Sequence, residues 1–261
     1  MQIRTVTDDF IKDLLMKGTR EDGRGMGAYR PINIATGTIP NAEGSATVDM
    51  GHTKVLCGVK IGVGEPMPDK PKDGNIITSA ELLPLASPHY DIGPPTPEAI
   101  EFARVVDRGI RAAKVIPTEK MFIEEEKVWE VYIDLYVLNY DGNLFDAGTM
   151  SAVAAIMSAR MPKYEGEKVI REGSLGKFET GNVISSCTYA KIGNSIVLDP
   201  DGNEEASMDA RITIANDENY VRAMQKGAGG SFTFKETEEL IEKTFEKSKE
   251  LRGILKKAVG E

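Results

Sequence analysis

Residues 147–161 constrain the fold more than any other segment of the chain. Small and apolar side chains lie nearly all round the helix that this segment predicts, and a helix without a polar face has to be buried. The segment follows the longest strand candidate, residues 128–140, and a turn at Asp141-Gly142. The sequence therefore predicts an internal helix, and 261 residues with 41% hydrophobic content can supply the core around it.

Strand-like runs occupy both halves of the sequence. In the first half, turns separate three of them into an antiparallel meander, and one further strand precedes a loop rich in glycine and proline. In the second half, four strands lead to a helix over residues 234–259, which a capping box of Thr233 and Glu236 begins. The predicted strands, besides residues 128–140, span residues 29–35, 45–50, 53–63, 76–85, 183–192, 195–198, 207–215 and 220–225. Sequential hairpins beside segregated helices predict an α+β fold with mostly antiparallel strands and packed helices.

A polar, glycine-containing stretch without clear periodicity separates the two halves at residues 162–182. We predict an N-terminal domain at residues 1–162, a linker at residues 163–182 and a C-terminal domain at residues 183–261. A short amphipathic helix precedes the first domain as a packing arm, with a cap at Thr7 and a stop at Gly18.

Three arginines fall on one face of a predicted helix. The helix begins at the capping residue Thr96, has proline at its first position and is expected to run to Val115. At about 100° per residue, Arg104, Arg108 and Arg111 lie within an arc of about 60°, opposite an apolar face. Guanidinium groups match phosphate oxygens in charge and geometry, so such a row can follow the backbone of a single-stranded nucleic acid.

A solvated helix face explains the same arginines without any ligand. Glu101 and Asp107 lie three or four residues from them, which is the spacing of ordinary intrahelical ion pairs. The net charge of −9 excludes a protein that coats nucleic acid over its whole surface, so any contact with RNA or DNA has to be local.

Two cysteines and two histidines leave little material for a metal site or a histidine-based relay. Cys57 and Cys187 lie far apart in apolar runs, which favours free buried thiols and a reducing compartment. No stretch approaches the length of a membrane span, and the amino terminus lacks the apolar core of a signal peptide. We therefore expect a cytoplasmic protein without membrane contact, and we assign no role to His52 or His89.

A long spaced pattern resembles the RNase PH family of phosphate-dependent exoribonucleases. It covers nearly the whole chain and consists of Arg30-Pro31-Ile32, Gly37, Ala42-Glu43-Gly44-Ser45-Ala46, Gly51-x-Thr53-Lys54-Val55, Glu81-Leu82-Leu83-Pro84, residues 93–111, Asp134, Asp141-Gly142, Leu198-Asp199-Pro200 and Gly229-Gly230. Within the family, the chain is most similar to the non-catalytic RNase PH-type subunits of the archaeal exosome.

The resemblance implies two related halves that each contain a βαβ unit. It also implies a hexameric ring of three heterodimers with a catalytic RNase PH-type subunit, RNA-binding cap subunits and single-stranded RNA in a central pore. Arg104, Arg108 and Arg111 match arginines that line the RNA path in the similar subunits. The implied function is to bind and position RNA, and to help complete the partner's active site, during 3′-to-5′ phosphorolytic degradation.

One departure from the family pattern argues against catalysis by this chain. Catalytic relatives place Gly-Thr-Arg-Ser after the Asp-Gly turn, where it binds the attacking orthophosphate, whereas this chain has Asn143, Leu144, Phe145 and Asp146. A phenyl ring offers no donor, and a carboxylate repels an anion at a helix N-terminus. We expect Phe145 to fill the vacated space and Asp146 to cap the helix.

An acidic cluster stands where catalytic relatives hold Mg²⁺ with two aspartates. Its members are Asp199, Asp201, Glu204, Glu205 and Asp209, of which Glu205 and Asp209 are the nearest counterparts of that pair. An exposed turn of an acidic protein explains them equally well, so we expect no catalytic residue, no metal ligand and no cofactor.

Two other functions compete with the non-catalytic subunit. The chain could be a self-sufficient phosphorolytic exoribonuclease that forms a homohexamer, which Phe145 counts against, or a scaffold that uses the same fold outside RNA decay.

Overall fold

Two β-sheets, one from each half of the chain, pack against a shared layer of helices. The structure is a computed structural model that describes residues 2–172 and 176–260, with side chains from residue 8 onward. Over these residues the helices are α1 (Gln2–Met16), α2 (Pro97–Ala113), α3 (Leu144–Met157), α4 (Gly202–Ala206) and α5 (Phe234–Ala258). The strands are β1 (Ile32–Thr36), β2 (Gly44–Met50), β3 (Thr53–Gly64), β4 (Asn75–Leu82), β5 (Phe122–Glu124), β6 (Lys127–Asn139), β7 (Arg160–Met161), β8 (Lys163–Glu165), β9 (Lys168–Ile170), β10 (Gly176–Lys177), β11 (Ser185–Ile192), β12 (Ser195–Leu198), β13 (Ala210–Asn216) and β14 (Val221–Gly227).

The first sheet has the strand order β1-β2-β3-β6-β4, with β5 paired to β6. Its first three strands form the predicted antiparallel meander. Strand β4 pairs with β6 in parallel, and α2 lies in the connection between them. A parallel pair needs a crossover of this length, so this half contains the expected βαβ unit.

The second sheet has the order β12-β11-β13-β14, and all its described pairings are antiparallel. Strands β12 and β13 both run antiparallel to β11, so they are parallel to each other, and α4 connects them. This half therefore contains a βαβ unit whose two strands flank β11. The α+β class with mostly antiparallel strands is confirmed.

Helix α3 lies between the sheets and contacts β2 and β3 on one side and β11 on the other. All fourteen of its residues are buried, which confirms the internal helix expected from its apolar composition. The predicted limits were wrong, because the helix begins at Leu144 and ends before Arg160–Met161, which is a short strand. Gly148 lets α2 approach closely, since a Cβ there would lie 2.3 Å from the Phe102 ring.

Helix α1 packs on strands β11 and β12 of the second sheet. Ile11 and Leu15 form a small cluster with Ala190, Ile192 and Val197 of β11 and β12. The prediction that this helix starts at Thr7 was wrong, because it starts at Gln2 and Thr7 lies inside it.

The segment predicted as a linker contains short paired strands, with β8 bonded to β9 and β10 bonded to β7. Residues 173–175 of this segment, together with Met1 and Glu261 at the outer limits of the two predicted domains, lie outside the described residues. Cys57 and Cys187 are free and buried, as expected. Among the described residues, no helix combines the length and apolar character that a membrane crossing requires.

Candidate nucleic-acid interface

Helix α2 presents the three arginines as a solvent-exposed row. Thr96 caps the helix by accepting a hydrogen bond from the Ala99 N–H at 3.2 Å, and Pro97 occupies the first turn, both as predicted. The helix ends at Ala113 rather than Val115, because Lys114 adopts a left-handed conformation with φ of 53°. The opposite face is apolar and buried, while the side chains of Arg104, Arg108 and Arg111 are exposed.

The three arginines differ in how firmly they are held. Arg111 donates from Nε to Asp107 at 2.7 Å and from Nη2 to the Ile76 carbonyl oxygen. Arg108 donates from Nη1 to Oε1 of Gln225 on β14 at 2.9 Å. Arg104 has no hydrogen bond or ion pair within the part of the chain that the structure describes. Among the described residues, an intrahelical ion pair therefore forms at Arg111 only, and most guanidinium donors on this face have no partner there.

Asn143 caps α3, at the position where the family resemblance puts a phosphate site. Its backbone is left-handed with φ of 53°, and its side-chain oxygen accepts from the Asp146 N–H at 3.4 Å. Its side-chain amide donates to Asp199 at 2.7 Å and to Asp146 at 3.0 Å. The expectation that Asp146 caps the helix was therefore wrong.

Asp146 instead lies in the first turn of α3 and joins that helix to the second sheet. Its carboxylate accepts from the Thr188 N–H and from the Thr188 hydroxyl, each at 2.8 Å, and from the Tyr29 hydroxyl at 2.9 Å. Burial raises the pKa of the Asp146 carboxyl to about 6, against the lowering effect of the hydrogen bonds from the Asn143 amide and from Thr188. Asp146 is thus a buried structural group.

Phe145 fills the space that the phosphate-site residues would occupy, as expected, and an arginine stacks on its ring. The ring is buried, meets Phe102 edge-on at 6.0 Å, and has the Arg211 guanidinium 4.1 Å from its centroid. Arg211 Nη1 lies 3.6 Å from Glu205, and a Glu205 oxygen accepts from the Asn143 N–H at 2.7 Å. A carboxylate of the chain itself therefore occupies a backbone donor at the start of α3, where an external anion would otherwise bind.

Two members of the acidic cluster, Asp199 and Glu204, are buried, contrary to the expectation of an exposed turn. Asp199 is fully buried and accepts from Arg30 Nη2 and Arg24 Nη1, each at 2.8 Å. Glu204 is also buried and forms a two-point contact with Arg20, whose Nε donates to Glu204 Oε1 at 2.8 Å. Buried charges persist only when they are paired and hydrogen-bonded, and these carboxylates satisfy that condition.

Glu205 and Asp209, the counterparts of the family's metal-binding pair, have separate partners. Glu205 faces α3, whereas Asp209 is exposed and accepts from the Gly193 N–H at 2.7 Å in the turn between β11 and β12. Within residues 2–172 and 176–260, no group of three or more His, Cys, Asp or Glu side chains is arranged to hold a metal ion. Asp201 caps α4 through the Asn203 and Glu204 N–H groups.

Two residues beside this face, Gln225 and Arg211, have no local sequence signal that predicts their position. Both lie on strands of the second sheet, and their side chains reach back to α2 across the gap between sheet and helix. The alternation of side chains along β13 and β14 predicts that Gln225 and Arg211 lie on the same face of the sheet. That this face contacts α2 is known only from the tertiary structure.

Comparisons with known proteins agree with this architecture. Residues 28–162 match the model for domain 1 of the 3′ exoribonuclease family (RNase PH), and residues 182–247 match the model for its domain 2. The exosome complex component Rrp42 of Thermococcus gammatolerans is 48% identical over 259 residues, which cover 97% of this chain and 94% of that protein.

Solved structures show the same likeness. A chain of the Archaeoglobus fulgidus exosome, determined with RNA bound to the active site, matches with a TM-score of 0.91 and 38% identity, covering 97% of this chain and 99% of that one. A chain of an archaeal exosome core matches with a TM-score of 0.88 and 36% identity, covering 97% and 98%.

Proposed function

The chain belongs to the RNase PH family of 3′ exoribonucleases and is an exosome core subunit, and from that premise we propose that it is a non-catalytic member that holds single-stranded RNA. The proposal is supported by the contrast between two neighbouring helices. An exposed row of arginines with free donors lies on α2, while the adjoining start of α3 lacks the groups that would bind a reacting phosphate. The chain can therefore attract an RNA backbone without supplying the nucleophile's site.

The chemistry of phosphorolysis supports the non-catalytic part of the proposal. The reaction needs a bound orthophosphate, which donors at a helix N-terminus and a guanidinium would hold. At the start of α3 the Asn143 N–H is bonded to Glu205, and Arg211 lies between Glu205 and Glu101 over the Phe145 ring. Burial also raises the pKa of Glu205, while the Asn143 N–H and Arg211 act in the opposite direction.

We propose that the partner is a catalytic RNase PH-type subunit and that three such heterodimers form a hexameric ring with RNA-binding cap subunits. The similarity to chains of archaeal exosome cores supports an assembly of this kind. In it, this chain positions RNA and helps complete the partner's active site. A cytoplasmic location is part of the proposal, supported by the free thiols of Cys57 and Cys187.

The domain limits of residues 1–162, 163–182 and 183–261 are retained as a proposal. Support comes from the sheets, because the strands of the first lie within residues 32–139 and those of the second within residues 185–227.

Replacement of Arg104, Arg108 and Arg111 by Ala in the assembled ring tests the RNA-holding role. Each arginine that contacts a phosphate contributes about 0.7 to the log-log salt slope of binding to a single strand, so the slope should flatten by about 2. The measurement is the affinity for a poly(A) strand over a salt series of about 50 to 200 mM, without orthophosphate.

The matched control removes the same charge from another helix. Lys235, Lys243 and Lys249 are exposed residues of α5, and their joint replacement by Ala should leave the slope unchanged. Equal slopes for the ring with and without the α2 arginines would contradict the proposed RNA path.

A further inference from the structure

Arg108 is held from outside its own helix. No carboxylate lies three or four residues from it on α2, where its neighbours at those spacings include Arg104 and Arg111. These like charges repel its guanidinium, and the side chain is nevertheless anchored by Gln225 Oε1 at 2.9 Å. Strand β14, which carries Gln225, is the edge of the second sheet nearest to α2.

Gln225 is itself held in one orientation. Its Nε2 donates to Glu101 Oε1 at 3.3 Å, and the same carboxylate oxygen accepts from Arg211 Nη2 at 2.9 Å. A flipped amide would place its NH₂ against the Arg108 guanidinium and its oxygen against the Glu101 carboxylate, which breaks both bonds. The network therefore presents the Gln225 oxygen to Arg108.

The far end of the network is anchored in the interior. Arg211 is only 8% exposed and stacks on Phe145, a residue of the lost phosphate site. Register pairs Arg211 with Gly227, where a Cβ would lie 2.6 Å from Arg211 Nη2, so the glycine lets this side chain pass β14 toward Glu101. The residues that replaced the phosphate site thus support the contact at the arginine face.

The neutral amide of Gln225 suits a guanidinium that has to remain available to a ligand. A neutral amide orients a guanidinium without cancelling its charge, whereas a carboxylate at the same position would form an ion pair with it. Arginine has five N–H donors, and Gln225 takes one of them. With respect to the residues that the structure describes, Arg108 therefore keeps four donors and its full charge for a phosphate group.

We propose that Gln225 is a positioning residue for RNA binding, which holds the Arg108 guanidinium ready for a backbone phosphate through the network of Glu101, Arg211 and Phe145. The inference rests on the proposed function of the arginine face. Pre-ordering a long side chain lowers the entropic cost of its contact with a ligand. Loss of Gln225 therefore weakens binding while the charge of Arg108 stays in place.

The test compares three variants in the assembled ring, with a poly(A) strand and without orthophosphate. Gln225→Met keeps the shape but removes both hydrogen bonds, and we expect affinity to fall about 2- to 10-fold with the salt slope unchanged. Arg108→Ala should lower both affinity and slope, the slope by about 0.7. Met224→Ala, at an exposed neighbour on the same strand, should change neither.

The outcomes separate this inference from the proposed function. Unchanged affinity in Gln225→Met together with weaker binding in Arg108→Ala overturns the positioning role and leaves the RNA face intact. No effect of Arg108→Ala removes that arginine from the RNA path and the positioning role with it. A lower slope in Gln225→Met also overturns the inference, because positioning leaves the charge count unchanged. Gel filtration of each ring checks assembly.

Discussion

The arginine face of α2 and the acidic segment after β12, residues 199–209, are both rich in charged side chains. They differ in how those side chains are placed and paired. On α2, Arg104 and Arg108 are exposed and most of their donors are free. In the acidic segment, Asp199 and Glu204 are buried and receive arginine donors from residues far away in the sequence.

This difference separates charges that can bind a ligand from charges that stabilise the fold. A buried carboxylate with all its partners in place has no capacity left for a metal ion or a substrate, whereas an exposed guanidinium with free donors retains it. Substitutions in the two regions should therefore have different consequences.

Asp199→Ala should have the largest effect on stability. It leaves the guanidinium groups of Arg24 and Arg30 without their shared carboxylate in the interior, which costs about 3–5 kcal/mol. Urea unfolding of the isolated chain measures this loss. Asp209→Ala, at an exposed acidic residue of the same segment, should cost about 1 kcal/mol or less. Similar losses in the two variants would show that the buried and the exposed carboxylate contribute equally to stability.

Asp146→Asn should have a smaller effect that depends on pH. Burial raises the pKa of Asp146 from its ordinary value of 3.8 to about 6, so between these values the folded chain keeps a proton that the unfolded chain releases. The favourable contribution of this proton is present at low pH and is lost as the pH rises through about 6.

Asn keeps only one of the two carboxylate oxygens that accept from Thr188 and Tyr29, and the loss of the other oxygen costs about 1–3 kcal/mol. Because Asn does not titrate, the wild type's advantage in free energy of unfolding should shrink from pH 5 to pH 7. An advantage that stays constant over this range would show that the buried carboxyl is already ionised at pH 5 in the folded chain.

Thr96→Ala should cost about 1 kcal/mol, because it removes the cap of α2. The arginines keep their charge and their helical spacing, so the salt slope of RNA binding by the ring should not change. Thermal unfolding and the salt series together test this. A flattened slope would mean that the cap is needed to keep the arginines in contact with the RNA phosphates.

Arg104→Ala should have the smallest effect on stability, less than about 0.5 kcal/mol, since nothing in the described structure depends on this side chain. Arg111→Ala should cost more, because Arg111 binds Asp107 and the Ile76 carbonyl oxygen. The two variants can be compared by urea unfolding. A reversed order would mean that Arg104 has a structural partner.

Local sequence was sufficient to predict α2 but not α3 or the acidic segment. The Thr96 cap, the proline after it and the apolar spacing are all contained in one short stretch, and the structure has the helix there. The start of α3 depends on Asn143, whose left-handed backbone is supported by a bond to Asp199, 56 residues away. No signal near residue 143 reveals that partner.

The acidic segment was misjudged for the same physical reason. Glu204 is buried because Arg20, 184 residues earlier in the chain, pairs with it. The high density of acidic residues around Glu204 therefore predicted solvent exposure wrongly. The order of hairpins and helices predicted the α+β fold, and the family resemblance predicted that the phosphate-site residues are missing. It did not predict that Glu205 and Arg211 would occupy the start of α3, because that arrangement joins three elements from different parts of the sequence.

We propose above that this chain holds RNA for a partner's active site and lacks an active site of its own. The most direct test is release of nucleoside diphosphates from a poly(A) strand with an accessible 3′ end, in the presence of Mg²⁺ and orthophosphate. The chain alone should release none, and its mixture with the catalytic RNase PH-type partner should be more active than that partner by itself. Phosphorolysis by the purified chain alone would contradict the claim.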